Sequence, residues 1–388
     1  MKLPSRHPVR LLAVLVAALL VASLWVLVDH GASGYYAFAP GSAPTITSSP
    51  LCRASSGGDL ALPGGKPCVH LGVPADKAHA IDGSLYMVDV LVGQATPAQY
   101  ILDKLGLLHT LLDGTQLIPA RDVLGTTPPS QLSCQDTQQM AGATSSAAVV
   151  ALRRLGYSVR ENDLGAQVDE VVPGSPADAA GMRCNDLITR LNGTPIRTAE
   201  DLRTAIHAAK PGQTISVTVR RTTGGKTTSL TLHPTVQATP PSERQGAQAN
   251  AAFLGVAVQS RVTYSFPFHV TIDVGSIGGP SAGLALTLGV LDVLSNGRLT
   301  GGHSVAATGT ISTDGTVGDV GGVAQKTIAV RRAGAQVFLV PRQELAVARS
   351  RAGAMKVYAV ATLGQALGVL KSLGGEIPAP PGLRSAGA

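Results

Sequence analysis

Apolar and polar residues alternate along this chain with two different periods, which predict strands and helices in turn. Alternation between residues 81 and 92 predicts a strand, because successive side chains of a strand point to opposite faces. Residues 136–155 carry small and apolar side chains at helical spacing and end at Gly156, which predicts a helix and its stop. Beyond residue 250, short strands alternate with helices, among them an apolar helix over residues 280–294. The pattern predicts an α+β fold.

The amino-terminal part predicts a membrane anchor. An uncharged apolar run, residues 11–28, follows a basic segment at residues 1–10 and is long enough to cross a ~30 Å hydrocarbon core as a helix. Basic residues stay on the cytoplasmic side, so we expect single-pass localisation in the cell membrane with the bulk of the chain outside the cytoplasm. The alternative is a cleaved signal peptide, since Ala37-Phe38-Ala39 has the small-x-small pattern of a cleavage site.

Composition excludes several classes of protein. Charged residues are 14% and hydrophobic residues 44%, which argues against a disordered chain and against a coiled coil. A net charge of +7 spread over 388 residues, with 3% aromatic residues, argues against a nucleic-acid partner. No Cys-x-x-Cys is present and the nine histidines are scattered, so we expect no metal site.

The four cysteines are compatible with an oxidising exterior. They allow three complete pairings. Cys52 and Cys68 flank a loop rich in glycine and proline, so a bridge between them is the first expectation.

The middle part, residues 157–236, has the pattern of a separate domain. Strands are predicted at residues 168–172 and 186–191, followed by a helix at residues 199–208 and a closing hairpin. This order, together with the sequences GSPADAAG and LNG, resembles a PDZ domain of the HtrA-protease type. The resemblance implies binding of extended peptide ends by strand addition. A spacer module that binds nothing is the alternative.

The segment with the richest chemistry is Ile277-Gly278-Gly279-Pro280-Ser281-Ala282-Gly283, which leads directly into the apolar helix. Ser281 falls where main-chain N–H groups are unpaired and the helix dipole is positive. A serine in this position is usually a helix cap. The glycines around it, however, allow a substrate backbone to approach and free N–H groups to bind an oxyanion.

Lys326 is the second candidate for chemistry. It is one of nine lysines and lies in an apolar helix that follows Gly321-Gly322. Partial desolvation lowers the pKa of a lysine, so that its neutral amine can accept the proton of a serine hydroxyl. The alternative is an ordinary helix lysine that extends its charge into solvent.

Two other motifs, that of an α/β-hydrolase and that of a phosphate-binding loop, do not fit this sequence. Gly279-Pro280-Ser281-Ala282-Gly283 fits the G-x-S-x-G pattern of α/β-hydrolases, but that site needs a strand directly before the serine and an acid and a histidine after it. His303 is the one histidine downstream of the serine. The Gly225-Lys226-Thr227 segment is a hairpin turn and lacks the first glycine of a phosphate-binding loop, so the sequence shows no ATP site.

The last third of the chain resembles the proteolytic domain of Lon-type proteases. The resemblance is carried by five motifs in the Lon order, which are His269-Val270, the GGPSAG segment, Thr308-Gly309-Thr310-Ile311, Asp314-Gly315-x-Val317-Gly318 and Gly321-Gly322-x-x-x-Lys326. The helix at residues 136–155 resembles the Lon helix that precedes these motifs. Lon proteins commonly carry an aspartate three residues before the serine, whereas this chain has Gly278 there.

The resemblance implies the roles of the site residues. Ser281 would be the nucleophile and Lys326 the general base of a Ser–Lys dyad, with Thr308 orienting the lysine amine. Main-chain N–H groups around Gly279, Pro280 and Ala282 would be candidates for the oxyanion hole. No cofactor is implied.

Together these features resemble the bacterial membrane-anchored, PDZ-containing Lon-like serine proteases, with the PDZ domain inserted in or preceding the proteolytic domain. The predicted divisions are a cytoplasmic segment 1–10, an anchor 11–28, an external linker 29–80, a first Lon-like part 81–155, the PDZ domain 157–236, a linker 237–250, a second Lon-like part 251–373 and a flexible tail 374–388.

The predicted function is an ATP-independent, membrane-anchored serine endopeptidase that cuts peptides or exposed protein segments and carries a PDZ peptide-binding module. The expected partners are peptide or unfolded protein substrates. A homo-oligomer is expected from the resemblance alone. One alternative is a catalytically silent PDZ adaptor at the membrane, and another is a lipid esterase, which rests on the G-x-S-x-G pattern.

Overall fold

A computed structural model describes residues 23, 28–32, 34–54, 59–125, 127–241 and 251–379. The helices are α1 (Pro97–Lys104), α2 (Leu108–Leu111), α3 (Ala120–Leu124), α4 (Pro129–Arg154), α5 (Pro176–Ala179), α6 (Ala199–His207), α7 (Gly283–Leu294), α8 (Val323–Arg332), α9 (Leu345–Arg351) and α10 (Leu363–Ser372). A short 3₁₀ helix, Arg342–Glu344, precedes α9.

The strands follow in three groups. The first group is β1 (Tyr35–Pro40), β2 (Thr45–Thr47), β3 (Arg53–Ala54), β4 (Leu60–Ala61), β5 (Cys68–Gly72), β6 (Ser84–Tyr86), β7 (Val90–Gln94) and β8 (Gln116–Pro119). The second is β9 (Arg160–Val171), β10 (Leu187–Leu191), β11 (Thr194–Pro195), β12 (Val217–Thr223), β13 (Lys226–Leu232) and β14 (Gln237–Ala238). The third is β15 (Ala252–Phe253), β16 (Val256–Ser265), β17 (Thr271–Asp273), β18 (Ser304–Ala307), β19 (Thr310–Ile311), β20 (Val317–Gly318), β21 (Val337–Pro341) and β22 (Lys356–Val360).

The predicted transmembrane helix needs correction. Among the described residues, no helix is both long and apolar enough to cross a membrane. Helix α4 has 26 residues but carries glutamine, threonine and serine side chains, and α7 is apolar but has only 12 residues, about 18 Å at 1.5 Å per residue. Residues 11–28, on which the prediction rested, lie outside the described residues except for Ser23 and Val28. Two predictions are therefore wrong, the transmembrane helix in the fold class and the single-pass membrane localisation.

The main sheet joins distant parts of the chain. Its seven strands follow the order β17-β5-β2-β6-β18-β21-β22. The pairs β6–β18, β18–β21 and β21–β22, at one side of the sheet, are parallel. Strands β2 and β5 come from residues 29–80, which the sequence analysis treated as linker, and they become strands by pairing with each other and, through Thr45 and Tyr86, with β6.

The core of this part lies between the main sheet and two helices. Helix α7 is buried on every face from Gly283 to Val293, which explains its lack of polar periodicity. It packs along α4, whose small residues Ala143, Ala147 and Ala151 allow the two helices to approach closely. The predicted helix 136–155 therefore exists, and it begins earlier, at Pro129.

The middle part forms its own sheet, in the order β13-β12-β10-β9-β16 with β11 beside β10. Its edge strand β16 follows the predicted linker, yet it pairs along β9 from Val256 to Ser265. Ala252 and Leu254 lie in the same apolar core as Val168 and Val217. This sheet therefore draws its edge strand from a segment that the sequence analysis assigned to the second Lon-like part.

Two disulfide bonds are present. Cys52 pairs with Cys68, which confirms the first expectation from the sequence. Cys134 on α4 pairs with Cys184 in the loop before β10, and the bond ties the middle domain to the helix that packs on α7.

Candidate active site

Ser281 lies in the turn that enters α7, and the end of β18 holds this turn in place. The main-chain N–H of Gly309 donates to the Ser281 carbonyl oxygen at 2.9 Å, and Thr308 Oγ1 donates to the same oxygen at 3.1 Å. Leu284 N–H in turn donates to the Gly309 carbonyl at 3.0 Å. A Cβ atom on Gly283 would lie 2.8 Å from Ile311 N, so only glycine permits this close approach. The serine is thus mounted on a rigid element.

Lys326 lies on the first turns of α8, which starts at Gly322 in the left-handed conformation, with φ of 68°. The residue is 4% exposed. Its Nζ donates to Thr308 Oγ1 at 3.5 Å. Burial lowers the pKa of Lys326 to about 8, while the negative charges of Asp89 and Glu344 oppose that shift. The fold therefore favours the neutral amine that a general base requires.

Thr308 connects the two candidates. It is fully buried at the end of β18, and its main-chain N–H donates to the Leu339 carbonyl on β21 at 3.0 Å. Its hydroxyl accepts from Lys326 and donates to the Ser281 carbonyl. One side chain thus contacts both the lysine amine and the main chain of the serine.

Ser281 and Lys326 line the same cleft, which has a volume of about 460 Å³. One wall is formed by β7, from Val90 to Val92, and another by the loop at residues 276–278. Asp136 and Met140, one helical turn apart on α4, close a third side. The cleft is lined by apolar side chains and also by charged and hydroxyl groups.

The three residues predicted to form the oxyanion hole differ in whether they have a free main-chain N–H. The Gly279 N–H donates to the Asp136 carbonyl at 2.9 Å, so α4 already uses it, and Pro280 has no N–H. Ala282 is the N-cap residue of α7, where the first N–H groups of a helix have no acceptor within the helix. The donors available to a substrate oxygen therefore centre on Ala282.

Two acidic residues of the cleft were not assigned as site residues from the sequence. Asp89 accepts hydrogen bonds from the Ser42 N–H and from Ser42 Oγ, the latter at 2.8 Å. Asp136 is more than 130 residues from Ser281 in the chain, and no local pattern relates the two. Among the residues that the structure describes, no three His, Cys, Asp or Glu side chains cluster as metal ligands would.

A second groove lies in the middle domain, between α6 and the strands β15 and β16. It has a volume of about 210 Å³, and apolar side chains line it on both sides, Leu202 and Ile206 from the helix and Val256 and Val258 from the strand. In the sheet order, β16 is an edge strand that pairs with β9. An edge strand beside an apolar helix face is the geometry that strand addition requires.

Comparisons with known proteins identify both parts of the chain. The family model of the PDZ domain matches residues 154–233, and that of the Lon protease (S16) C-terminal proteolytic domain matches residues 247–369. The chain thus combines a PDZ domain with a Lon C-terminal proteolytic domain, as the sequence motifs predicted.

Individual relatives agree with this division. The Lon protease of Malacoplasma penetrans is 35% identical over 99 residues, which are 25% of this chain and 12% of the relative. The probable periplasmic serine endoprotease DegP-like of Rhizobium meliloti is 33% identical over 104 residues, which are 24% of this chain and 21% of the relative. The chain spans about a fifth or less of the length of these two relatives.

A solved structure is also similar to part of the chain. The crystal structure of the PDZ domain of the SdrC-like protein from Listeria monocytogenes is 20% identical and covers 24% of this chain and 87% of that one, with a TM-score of 0.19. The family matches and the relatives, rather than this structure, support the enzyme class predicted from the sequence, a serine peptidase.

Proposed function

We propose that this chain is an ATP-independent serine endopeptidase that cuts peptides and unfolded protein segments with a Ser281–Lys326 dyad. The observation that carries the proposal is the buried Lys326 amine, which contacts Thr308 in the cleft that Ser281 also lines. A buried lysine with a pKa of about 8 is poised to act as a base near neutral pH.

The dyad would act in two stages. Neutral Lys326 accepts the proton of Ser281 Oγ as this oxygen attacks the carbonyl carbon of the scissile bond. The main-chain N–H of Ala282, just before α7, stabilises the negative charge on the former carbonyl oxygen. The C–N bond then breaks, and Lys326 returns the proton to the leaving amine. In the second stage Lys326 takes a proton from water, which hydrolyses the acyl ester and restores the serine.

Two features support an extended peptide as substrate. Strand β7 pairs with β1 and stands at the edge of its three-stranded sheet, with Val90, Leu91 and Val92 on the cleft wall. The groove beside β16 offers a second edge strand in the PDZ domain. We therefore propose that the PDZ groove binds chain ends or extended segments while the cleft cuts the same chain.

The division of the chain belongs to the same proposal. The proteolytic domain would be split around the inserted PDZ domain, as the predicted parts 81–155 and 251–373 have it, with two changes of boundary. Strands β2 and β5 join its first part, and its second part begins after β16, because Ala252, Leu254 and β16 belong to the sheet and core of the middle domain. The packing of α4 against α7 and the pairing of β6 with β18 support this division, because each joins the first part to the second. The sequence holds no phosphate-binding loop, which supports cleavage without ATP.

The experiment compares cleavage of an unfolded protein, without nucleotide, by wild type and by the variants Ser281→Ala and Lys326→Ala. We expect both variants to lose cleavage and to keep the wild-type circular dichroism spectrum. Ser350→Ala, an exposed serine of α9, and Lys356→Ala, an exposed lysine, are the matched controls and should keep their activity.

Undiminished cleavage by Ser281→Ala or Lys326→Ala would contradict the dyad. If wild type bound peptides through the groove beside β16 and showed no Ser281-dependent cleavage, the PDZ adaptor would be the better description.

A further inference from the structure

Asp136 lies against the loop that precedes Ser281. Its main-chain carbonyl accepts the Gly279 N–H at 2.9 Å. A Cβ atom on Gly278 would stand 3.0 Å from the Asp136 Cβ, so helix and loop are in direct contact. Gly279 is two positions before Ser281 in the chain. The contact with Gly279 therefore places Asp136 next to the loop that leads to the proposed nucleophile.

The Asp136 carboxylate differs from the other charged groups of the cleft. The Asp89 carboxylate is bound by Ser42, and Lys326 is buried against Thr308. Asp136 is exposed to the cleft, and among the described residues no side chain donates a hydrogen bond to its carboxylate or forms an ion pair with it. Partial burial raises the pKa of Asp136, which means that the charged form is poorly solvated there.

Several apolar side chains share the cleft with Asp136. Met140 lies one turn further along α4, and Val92 and Ile277 line the same cleft. A long aliphatic stem can pack on such a surface while its charged end reaches the carboxylate. Lysine and arginine side chains combine these two properties, whereas a short polar or acidic side chain has neither.

We propose that Asp136 is a specificity residue that binds a lysine or arginine side chain of the substrate close to the scissile bond. This inference rests on the proposed peptidase function and names the class of peptide that the cleft prefers. The carboxylate supplies the charge, and the apolar walls hold the stem of the bound residue.

The test uses four fluorogenic peptides that are identical except at one position next to the cleavage site, which holds lysine, arginine, norleucine or glutamate. With the full chain as enzyme, we expect kcat/KM to be at least about tenfold higher for the lysine and arginine peptides than for the norleucine peptide. In Asp136→Asn, which keeps the shape and the main-chain carbonyl, this ratio should fall to about one. In Asp136→Lys, the glutamate peptide should become preferred over the lysine peptide.

The control is Asp122→Asn, which removes one negative charge from an exposed aspartate of α3 and should leave the preference unchanged. Equal Ser281-dependent cleavage of the lysine and norleucine peptides by wild type would overturn the specificity and leave the proposed function standing. If Asp136→Asn lowered kcat/KM equally for all four peptides, the specificity role would be wrong and Asp136 would have a structural role. If no peptide were cleaved in a Ser281-dependent manner, both proposals would fall.

Discussion

At the scale of single residues, the proposed chemistry depends on the protonation of Lys326. The amine is removed from water by α8 and the loop around Thr308, and burial lowers its pKa to about 8. The neutral form of the amine accepts the serine proton, so activity should follow the fraction of neutral lysine.

The first prediction concerns pH. Because the neutral amine is the active form, kcat/KM for a peptide should rise with pH and level off above a midpoint of about 8. Lys326→Arg should be inactive at every pH, since a guanidinium does not deprotonate in this range. A profile that is flat or falls between pH 6.5 and 9 would contradict the role of Lys326 as the base.

The second prediction concerns Thr308 as a positioning residue. Thr308→Val keeps the shape but removes the hydroxyl that contacts Lys326 Nζ and the Ser281 carbonyl. We expect kcat to fall by about 10- to 100-fold with little change in KM, because the reacting groups lose their alignment.

Two further variants separate this role from stability. Thr308→Ser restores the hydroxyl and should recover most of the activity. Thr287→Val removes a buried hydroxyl of α7, which donates to the Gly283 carbonyl, and serves as the control for loss of a buried hydrogen bond. If Thr308→Val lost activity only in proportion to a lower Tm, the hydroxyl would have no positioning role.

At the scale of elements, α4 connects the two halves of the molecule. Gln131 Nε2 donates to the Val171 carbonyl at 2.8 Å, and Gln138 Nε2 donates to the Val168 carbonyl at 3.0 Å, both on β9. The disulfide Cys134–Cys184 lies between these contacts on the helix. On its other face, α4 packs on α7, which carries Ser281 at its start.

The third prediction concerns this disulfide. Replacing Cys134 and Cys184 by serine should lower the free energy of unfolding by about 4 kcal/mol, because the bond closes a loop of 50 residues in the unfolded chain. Replacing Cys52 and Cys68, which are 16 residues apart, should cost about 3 kcal/mol and is the matched control. Denaturant unfolding measures both values. A smaller effect for the longer loop would contradict the chain-entropy explanation.

The sequence predicted elements well where the pattern is local and poorly where pairing is distant. The apolar run at residues 280–294 and the small-residue face of residues 136–155 predict α7 and most of α4. The first turn of α4 has no apolar stripe, and Gln131 in this turn donates to the Val171 carbonyl on β9. No local pattern in the sequence indicates this contact. Strands β2 and β5 are short and lie between turns, and pairing within the main sheet defines them.

At the scale of the whole molecule, residues that are far apart in the sequence, from Phe38 to Lys326, line one cleft. Ser281, Thr308 and Lys326 lie within 46 residues of sequence, in motifs next to α7, β18 and α8. Because these motifs are local, the sequence alone predicts the proposed dyad and its neighbour. The cleft walls from β7 and Asp136 depend on the packing of the first part of the chain against the second. A single sequence has no pattern that reports this contact.

The PDZ domain and the proteolytic domain also share continuous elements. Strand β16 forms one side of the PDZ groove and leads through β17 into the loop before Ser281. Helix α4 joins the two domains from the other direction through the Cys134–Cys184 bond. The two domains are therefore linked by shared elements at both junctions of the chain.

The measurement that tests the central claim most directly is covalent trapping with a serine-reactive probe, followed by mass spectrometry of the labelled peptide. We expect a single adduct on Ser281 in wild type, no adduct in Ser281→Ala and much slower labelling in Lys326→Ala. The Ser350→Ala control should label at the wild-type rate. Labelling at another serine, or labelling of Ser281 that is equally fast without Lys326, would contradict the proposed dyad.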